Sequence, residues 1–252
     1  MIRATLLAAL AAASCSAIAQ PFQSLIKRDG LYQPGRFSYN YVEAGYLIGE
    51  DKEALGTASL ELDSTANDFV FSAALTTHVF LRGRYTSTEY EVLERNSAPD
   101  ERFDYEASSS FGDLLIGVRY PLIDTGLHLD IYGMGGFFRE SFERDKTAWL
   151  VVPSLNFAGP FPLPDRNYRR SGMIYEVGAR TDFGLSFLDA GASYYYMDTK
   201  DGSYYQSGPR FNIGVNVWKG LQIGAQYVGR SDEILENTTD LSHAGGYIRY
   251  AF

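Results

Sequence analysis

The sequence predicts an all-β fold: a transmembrane antiparallel up-and-down β-barrel of about ten strands. Three observations lead there. Apolar and polar residues alternate with period two along most of the chain, the spacers between these segments alternate short and long, and the chain ends on one more such segment, Gly246 to Phe252. No later segment reaches the roughly 18 consecutive apolar residues of a spanning helix, and no window holds an apolar stripe of period 3.6.

Composition agrees with this class. The 252 residues carry 19 Tyr, 16 Phe and 25 Gly but 2 Trp and 1 Cys, usage that suits many short strands and tight turns. A formal net charge of −9 excludes a dedicated nucleic-acid binder, which needs a basic field.

Residues 1–19 read as a secretory signal, with Arg3 ahead of an apolar run and cleavage after Ala17-Ile18-Ala19. A competing reading makes Cys15 an acylated lipoprotein cysteine, although no Leu stands three places before it. Cleavage after Ala19 leaves a mature chain without cysteine, so disulfides and thiolate metal sites drop out. Residues 20–36 are then an N-terminal periplasmic segment and 37–252 the barrel.

The strands follow in order, near Phe37 to Ile48, Asp68 to Leu75, Val79 to Tyr90, Phe111 to Leu122, Leu127 to Phe138, Met173 to Phe183, Leu188 to Met197, Arg210 to Trp218, Leu221 to Arg230 and Ala244 to Phe252. In the fifth, Leu127, Leu129 and Ile131 share one face while His128, Asp130 and Tyr132 share the other. The spacers at 76–78, 123–126, 184–187 and 219–220 are tight. Those at 49–67, 91–110, 139–172, 198–209 and 231–243 are long and predict extracellular loops opposite short periplasmic turns.

A soluble sandwich also alternates, so the charged face decides between the two. It collects Glu43, Arg82, Arg84, Asp113, Arg119, Asp130, Glu176, Arg180, Asp189, Arg210, Arg230 and Arg249, charges of both signs in the middle of nearly every strand. In a barrel they line a polar lumen while the other face meets lipid, and Tyr46, Tyr85, Tyr120, Phe137, Tyr194, Tyr196 and Tyr227 fall where interfacial girdles lie. A ten-stranded lumen is narrow enough for side chains to fill. Mixed charges there predict a structural salt-bridge network, since an unpaired buried ion costs several kcal/mol, and a thin water-filled path is the alternative.

The last strand, with Ile248, Tyr250 and terminal Phe252 on alternate positions, resembles the C-terminal signal that outer-membrane barrels present to the barrel assembly machinery. Tyr39-Asn40-Tyr41-Val42-Glu43-Ala44-Gly45-Tyr46 resembles the first strand of a family of small Gram-negative outer-membrane barrels carrying Y-N-Y-V-E-x-G-Y, within the OmpA-like and porin-like superfamily. The resemblance implies the architecture and an outer-membrane location, and says little of activity.

The segment 139–172 is the most unusual. Trp149 and its apolar neighbours, four prolines and the basic residues Arg166, Arg169 and Arg170 predict strand extension above the membrane plus a Pro-stiffened loop over the barrel mouth, with contact to a partner, to acyl chains or to lipopolysaccharide phosphates as the functional reading. Catalysis is not expected. The three histidines are His78 in a turn, His128 and His243, and Ser242 next to His243 points to the opposite face of a strand. Neither a cofactor nor a metal is expected. The sequence therefore predicts a monomeric, non-enzymatic barrel with a structural or surface-interaction role, ahead of a narrow porin-like channel and then a hydrolase. Its partners would be lipid, lipopolysaccharide and the assembly machinery.

Overall fold

The computed structural model describes residues 38–252 apart from 56–57, 97–100, 126, 165–166, 184, 186, 201, 203, 219 and 235–236. The signal segment, Cys15 and residues 20–36 lie outside the described residues, as does Arg166.

Twelve strands follow one another: β1 (Tyr41–Leu55), β2 (Ala58–Ala74), β3 (Val79–Asn96), β4 (Glu101–Thr125), β5 (Leu127–Arg144), β6 (Thr147–Val152), β7 (Phe157–Pro162), β8 (Tyr168–Thr181), β9 (Leu188–Thr199), β10 (Tyr204–Trp218), β11 (Leu221–Ile234) and β12 (Asn237–Ala251). Ten of them close an antiparallel barrel. Each pairs with its neighbour in sequence, β5 pairs with β8, and β1 closes on β12 with Glu43 opposite Arg249. Closure removes the open edges on which isolated sheets aggregate.

The tight spacers sit at one end, with the start of β1 at Tyr41 and the end of β12 at Ala251. The β10–β11 turn needs Gly220 at φ 87°, where an added Cβ would stand 2.3 Å from the Ala251 carbonyl. Near the same rim Pro121, which cannot donate to a ladder, coincides with a register shift between β4 and β5.

At the other end the structure corrects the sequence reading. The segments at 49–67, 91–110, 198–209 and 231–243, expected to be long loops, are mostly strand, and 139–172 shows the strand extension expected of it. β1 and β2 stay in register to Leu55↔Ala58, β3 and β4 to Asn96↔Glu101, and β11 and β12 to Ile234↔Asn237. The 25-residue β4 is over twice the roughly 9–11 residues a bilayer crossing needs, so the wall is far taller than such a crossing requires. Segment 139–172 continues β5 and β8 upward and adds the hairpin β6–β7, whose β6 pairs with β4 at Arg102↔Val151 and so extends the wall.

The reason these upper segments escaped is that alternation continues while its phase reverses. Below, the apolar residues point outward: Ile48, Phe69, Phe71, Leu114, Ile116, Val118, Val177 and Ile213 are all exposed. Above, Tyr90, Val92, Ala107 and Leu241 point inward and form a buried cluster with Leu60, Leu62, Tyr105 and Phe142, while Glu91 and Glu106 face out. In β2 the apolar positions switch from odd (Phe69, Phe71) to even (Leu60, Leu62). A wall surrounded by hydrocarbon needs apolar residues outside. One surrounded by water needs them inside.

Candidate functional site

The candidate site is the lumen. Alternation along ten strands delivers one inward side chain every second residue, and the lumen charges meet as pairs. Glu176 on β8 takes a two-pronged bond from Arg82 on β3, at 2.9 and 2.8 Å, and a third from Arg210 on β10 at 2.6 Å. Tyr132 donates to the same carboxylate at 3.2 Å. Arg82 also lies 3.9 Å from Asp113, and Arg84 lies 3.6 Å from Asp68. A second group joins Arg180 to Asp189, Asp189 to Arg249 at 3.3 Å, and Arg249 to Glu43 at 2.6 Å. Arg119 pairs with Asp130 at 3.1 Å nearer the turn end, and Arg230 with Glu140 at 3.7 Å higher up. All twelve charges singled out in the sequence thus face inward with a partner of opposite sign.

Two partners, Asp68 and Glu140, escaped the sequence reading. Both could have been found from the inward parity, Asp68 by applying it to the first residue of the expected second strand and Glu140 by carrying it two residues past the fifth. Asp182, the partner of His128, is a third case. Its carboxylate accepts from the His128 backbone N–H and meets the His128 ring, tying β5 to the end of β8.

Apolar side chains fill the space between the ions. Phe80, Leu115, Met134, Phe138, Ile174, Tyr195 and Met197 form a buried cluster, and Tyr39 closes it from the turn end. The Tyr39 ring lies 4.7 Å from that of Phe80 and 4.5 Å beneath the Arg119 guanidinium, and the Ser38 carbonyl accepts from Arg180 at 3.1 Å. Cavities of about 70 and 80 Å³ remain at mid-height and just above. Each has room for a few water-sized bodies.

Higher in the lumen, His243 reaches Ser64, not Ser242. Their cross-strand neighbour is Gly49, which lies between them on β1, and the imidazole Nε2 stands 3.0 Å from the Ser64 hydroxyl. A Cβ at Gly49 would meet Ser64 Oγ at 2.8 Å and His243 Cδ2 at 2.9 Å, so the glycine permits the contact. The same hydroxyl lies 3.2 Å from the Gly49 carbonyl, so its one proton is shared between a carbonyl and a ring nitrogen that both lie within reach. The contact ties three strands together.

The basic residues of the expected loop separate. Arg169 and Arg170 lie on strand β8, and as adjacent residues they face opposite ways. Arg169 is exposed. Arg170 turns inward between the rings of Tyr168 and Tyr204, at 3.8 and 4.0 Å, and is not presented to phosphates outside. Burial, with help from Glu140, pushes the Tyr168 phenol up to about 12. Trp149 on β6 is exposed, as are Leu155, Phe157 and Phe161 around the hairpin.

The outer wall carries the expected belts. Tyr46, Tyr85, Tyr120, Phe137, Tyr194, Tyr196 and Tyr227 all point outward, and Ile248 and Tyr250 on β12 do the same. Just above, an exterior groove of about 860 Å³ crosses β1–β5 between rows of outward carboxylates that include Glu50, Asp63, Glu91 and Glu106. Among the described residues no group of three or more His, Cys, Asp or Glu is placed to hold a metal ion.

No family model matches the chain, and no curated protein matches it in sequence. Solved structures of similar fold are outer-membrane barrels. The outer-membrane protease OmpT of Escherichia coli is 12% identical over 86% of this chain and 98% of that one, with a TM-score of 0.49. The translocator domain of the autotransporter NalP from Neisseria meningitidis is 13% identical over 96% and 98%, with a TM-score of 0.47. The attachment invasion locus protein Ail of Yersinia pestis is 9% identical over 85% and 100%, with a TM-score of 0.38. None of these likenesses bears on activity, substrate or partner.

Proposed function

We propose that the chain is a monomeric, non-conducting β-barrel of a Gram-negative outer membrane, exported with a cleaved signal, that acts by contact and not by catalysis. The observation that carries this reading is the filled lumen beneath a tall extracellular wall. Paired ions and large apolar side chains occupy mid-height, and the chain's size goes instead into strands that rise beyond the membrane. The surfaces that meet other molecules are then the outer wall above the girdle and the exposed aromatics of the β6–β7 hairpin, with lipopolysaccharide and outside partners as occupants. The outward Ile248 and Tyr250 next to Phe252 suit presentation of β12 to the barrel assembly machinery.

Planar-bilayer recording of the refolded protein tests the reading. The expected trace has no reproducible conductance steps. Steps of fixed size that change in Arg82→Ala or Arg119→Ala would replace it with a narrow diffusion channel.

A further inference from the structure

From Thr147 to Pro164 the chain carries no Asp, Glu, Lys or Arg, the longest such run among the described residues. Most of it forms the hairpin β6–β7, which is apolar all round. On one face Val152 stands opposite Phe157, above Phe161, whose ring packs on Phe103 of β4. On the other face Trp149 stands opposite Pro160 and Val151 opposite Ala158. Leu155 tips the turn, 74% exposed, and Trp149 and Phe157 are half-exposed. The rest of the upper wall turns apolar residues inward and acids outward, as water demands, so this hairpin departs from its surroundings.

Its backbone is as unusual as its faces. β7 ends the sheet, so one of its edges has no strand beside it. The Leu163 N–H donates to the Lys146 carbonyl at 2.8 Å, and bonded and unbonded pairs alternate along an antiparallel ladder. Ala158, Pro160 and Pro162 therefore direct their backbone nitrogens to the free edge, where the two prolines have no hydrogen to offer. Such an edge does not template a further strand, and it leaves few donors to be stripped of water. At the turn the Asn156 N–H is answered by the Pro153 carbonyl at 3.0 Å.

These features choose among occupants. The prolines refuse an added strand. A protein groove would cover one face and leave the other in water, and a charged surface finds no counter-charge between Thr147 and Pro164. Hydrocarbon covers both faces and the tip at once, and the element complementary to it is uncharged with few free donors. The bilayer around the barrel is out of reach. Val151 stands opposite Arg102, twelve residues up β4 from the outward Leu114, which is about 40 Å along the strand and about 30 Å in height at a tilt of ~45°. The turn lies higher still.

We propose that the hairpin is an anchor for a second lipid bilayer, one facing the barrel's outer end. Leu155 and Phe157 enter it to the depth of about 5–10 Å typical of interfacial elements, and Trp149 lies at the headgroups, where an indole is favoured. The inference rests on the contact role proposed above and names the partner of that contact.

Trp149 and Trp218 are the chain's two tryptophans, so Trp218→Phe leaves one reporter, in the hairpin. That variant of the full chain, held in a nanodisc, is mixed with phosphatidylcholine vesicles. It should float with the vesicles in high salt as in low, since no charge is engaged. Its fluorescence should be quenched by brominated acyl chains in the vesicles and not by the same lipids in the nanodisc. Leu155→Asp, at an exposed turn, should weaken vesicle binding at least about tenfold, and Phe157→Ser should act in the same direction. Flotation unchanged in both variants overturns the anchor, as does quenching from the nanodisc lipids alone. Nanodiscs that pair with one another without vesicles overturn it too, because a second copy would then be the occupant. Absence of flotation in a protein that shows no conductance overturns the anchor and leaves the contact role standing, whereas conductance steps overturn the contact role on which the anchor rests.

Discussion

Replacing Glu176 by Gln keeps the shape of the side chain and removes its charge from between Arg82 and Arg210, where it makes bonds of 2.6 to 2.9 Å with only 2% of the side chain exposed. If the lumen is closed, two guanidiniums lose the anion that justifies their burial. Breaking a buried pair in this way costs about 3–5 kcal/mol, upward of about a hundredfold in the unfolding constant. If water fills the lumen, the same charges interact through a high dielectric and the loss is about 1 kcal/mol. Urea unfolding from lipid vesicles, followed by heat-modifiable gel mobility and tryptophan fluorescence, measures the difference. Added isethionate separates the cases further, because buried pairs are screened far less than solvated ones. Arg82→Met and the double variant complete a cycle whose coupling should be about 1–3 kcal/mol. A cost below about 1 kcal/mol that disappears in salt would refute the closed lumen.

The other predictions address the wall. Gly49→Ala forces a Cβ to within 2.6 Å of the Ser242 carbonyl and should cost about 1–3 kcal/mol in the same unfolding assay, whereas Gly133→Ala, with its nearest neighbour at 4.0 Å, should be neutral or slightly stabilising. Leu241→Ala in the upper cluster should cost about 2–4 kcal/mol and Glu91→Ala less than about 0.5, and equal effects would mean the upper strands are not a packed barrel. Ile116→Arg, at a site 57% exposed, should cost about 2–4 kcal/mol in a bilayer, where a water-facing site would tolerate it. A fluorophosphonate probe should not label Ser64; labelling that His243→Ala abolishes would contradict the non-catalytic reading.

Much of the lower barrel was legible from residues because lipid outside and ions inside impose one constant phase. Ile213, Val215 and Val217 point out and Arg210 points in, as their parity demands. The upper wall was not legible by the same rule. Leu60, Leu62, Tyr90 and Val92 alternate as regularly as the strands below, but they belong to the opposite face, and a reader following one phase loses them in a run of acids. The visible signal is the phase change itself, for instance between Leu62 and Phe69. Contacts such as Ser64 with His243 depend on register across three strands, and strand spacing alone does not set that register. Arg170 shows the opposite error: grouped with Arg166 by proximity in sequence, it belongs by parity with the lumen.

Spin-label accessibility along β4 is the most direct measurement of the account, read with oxygen as the lipid-soluble reagent and a nickel chelate as the water-soluble one. Labels at 114, 116 and 118 should favour oxygen, those at 106 and 108 should favour nickel, and those at 113 and 115 should be shielded from both. Nickel reaching 113 and 115 as freely as 106 would mean an open water-filled pore, and nickel favoured at 114 to 118 would mean that this wall never meets hydrocarbon.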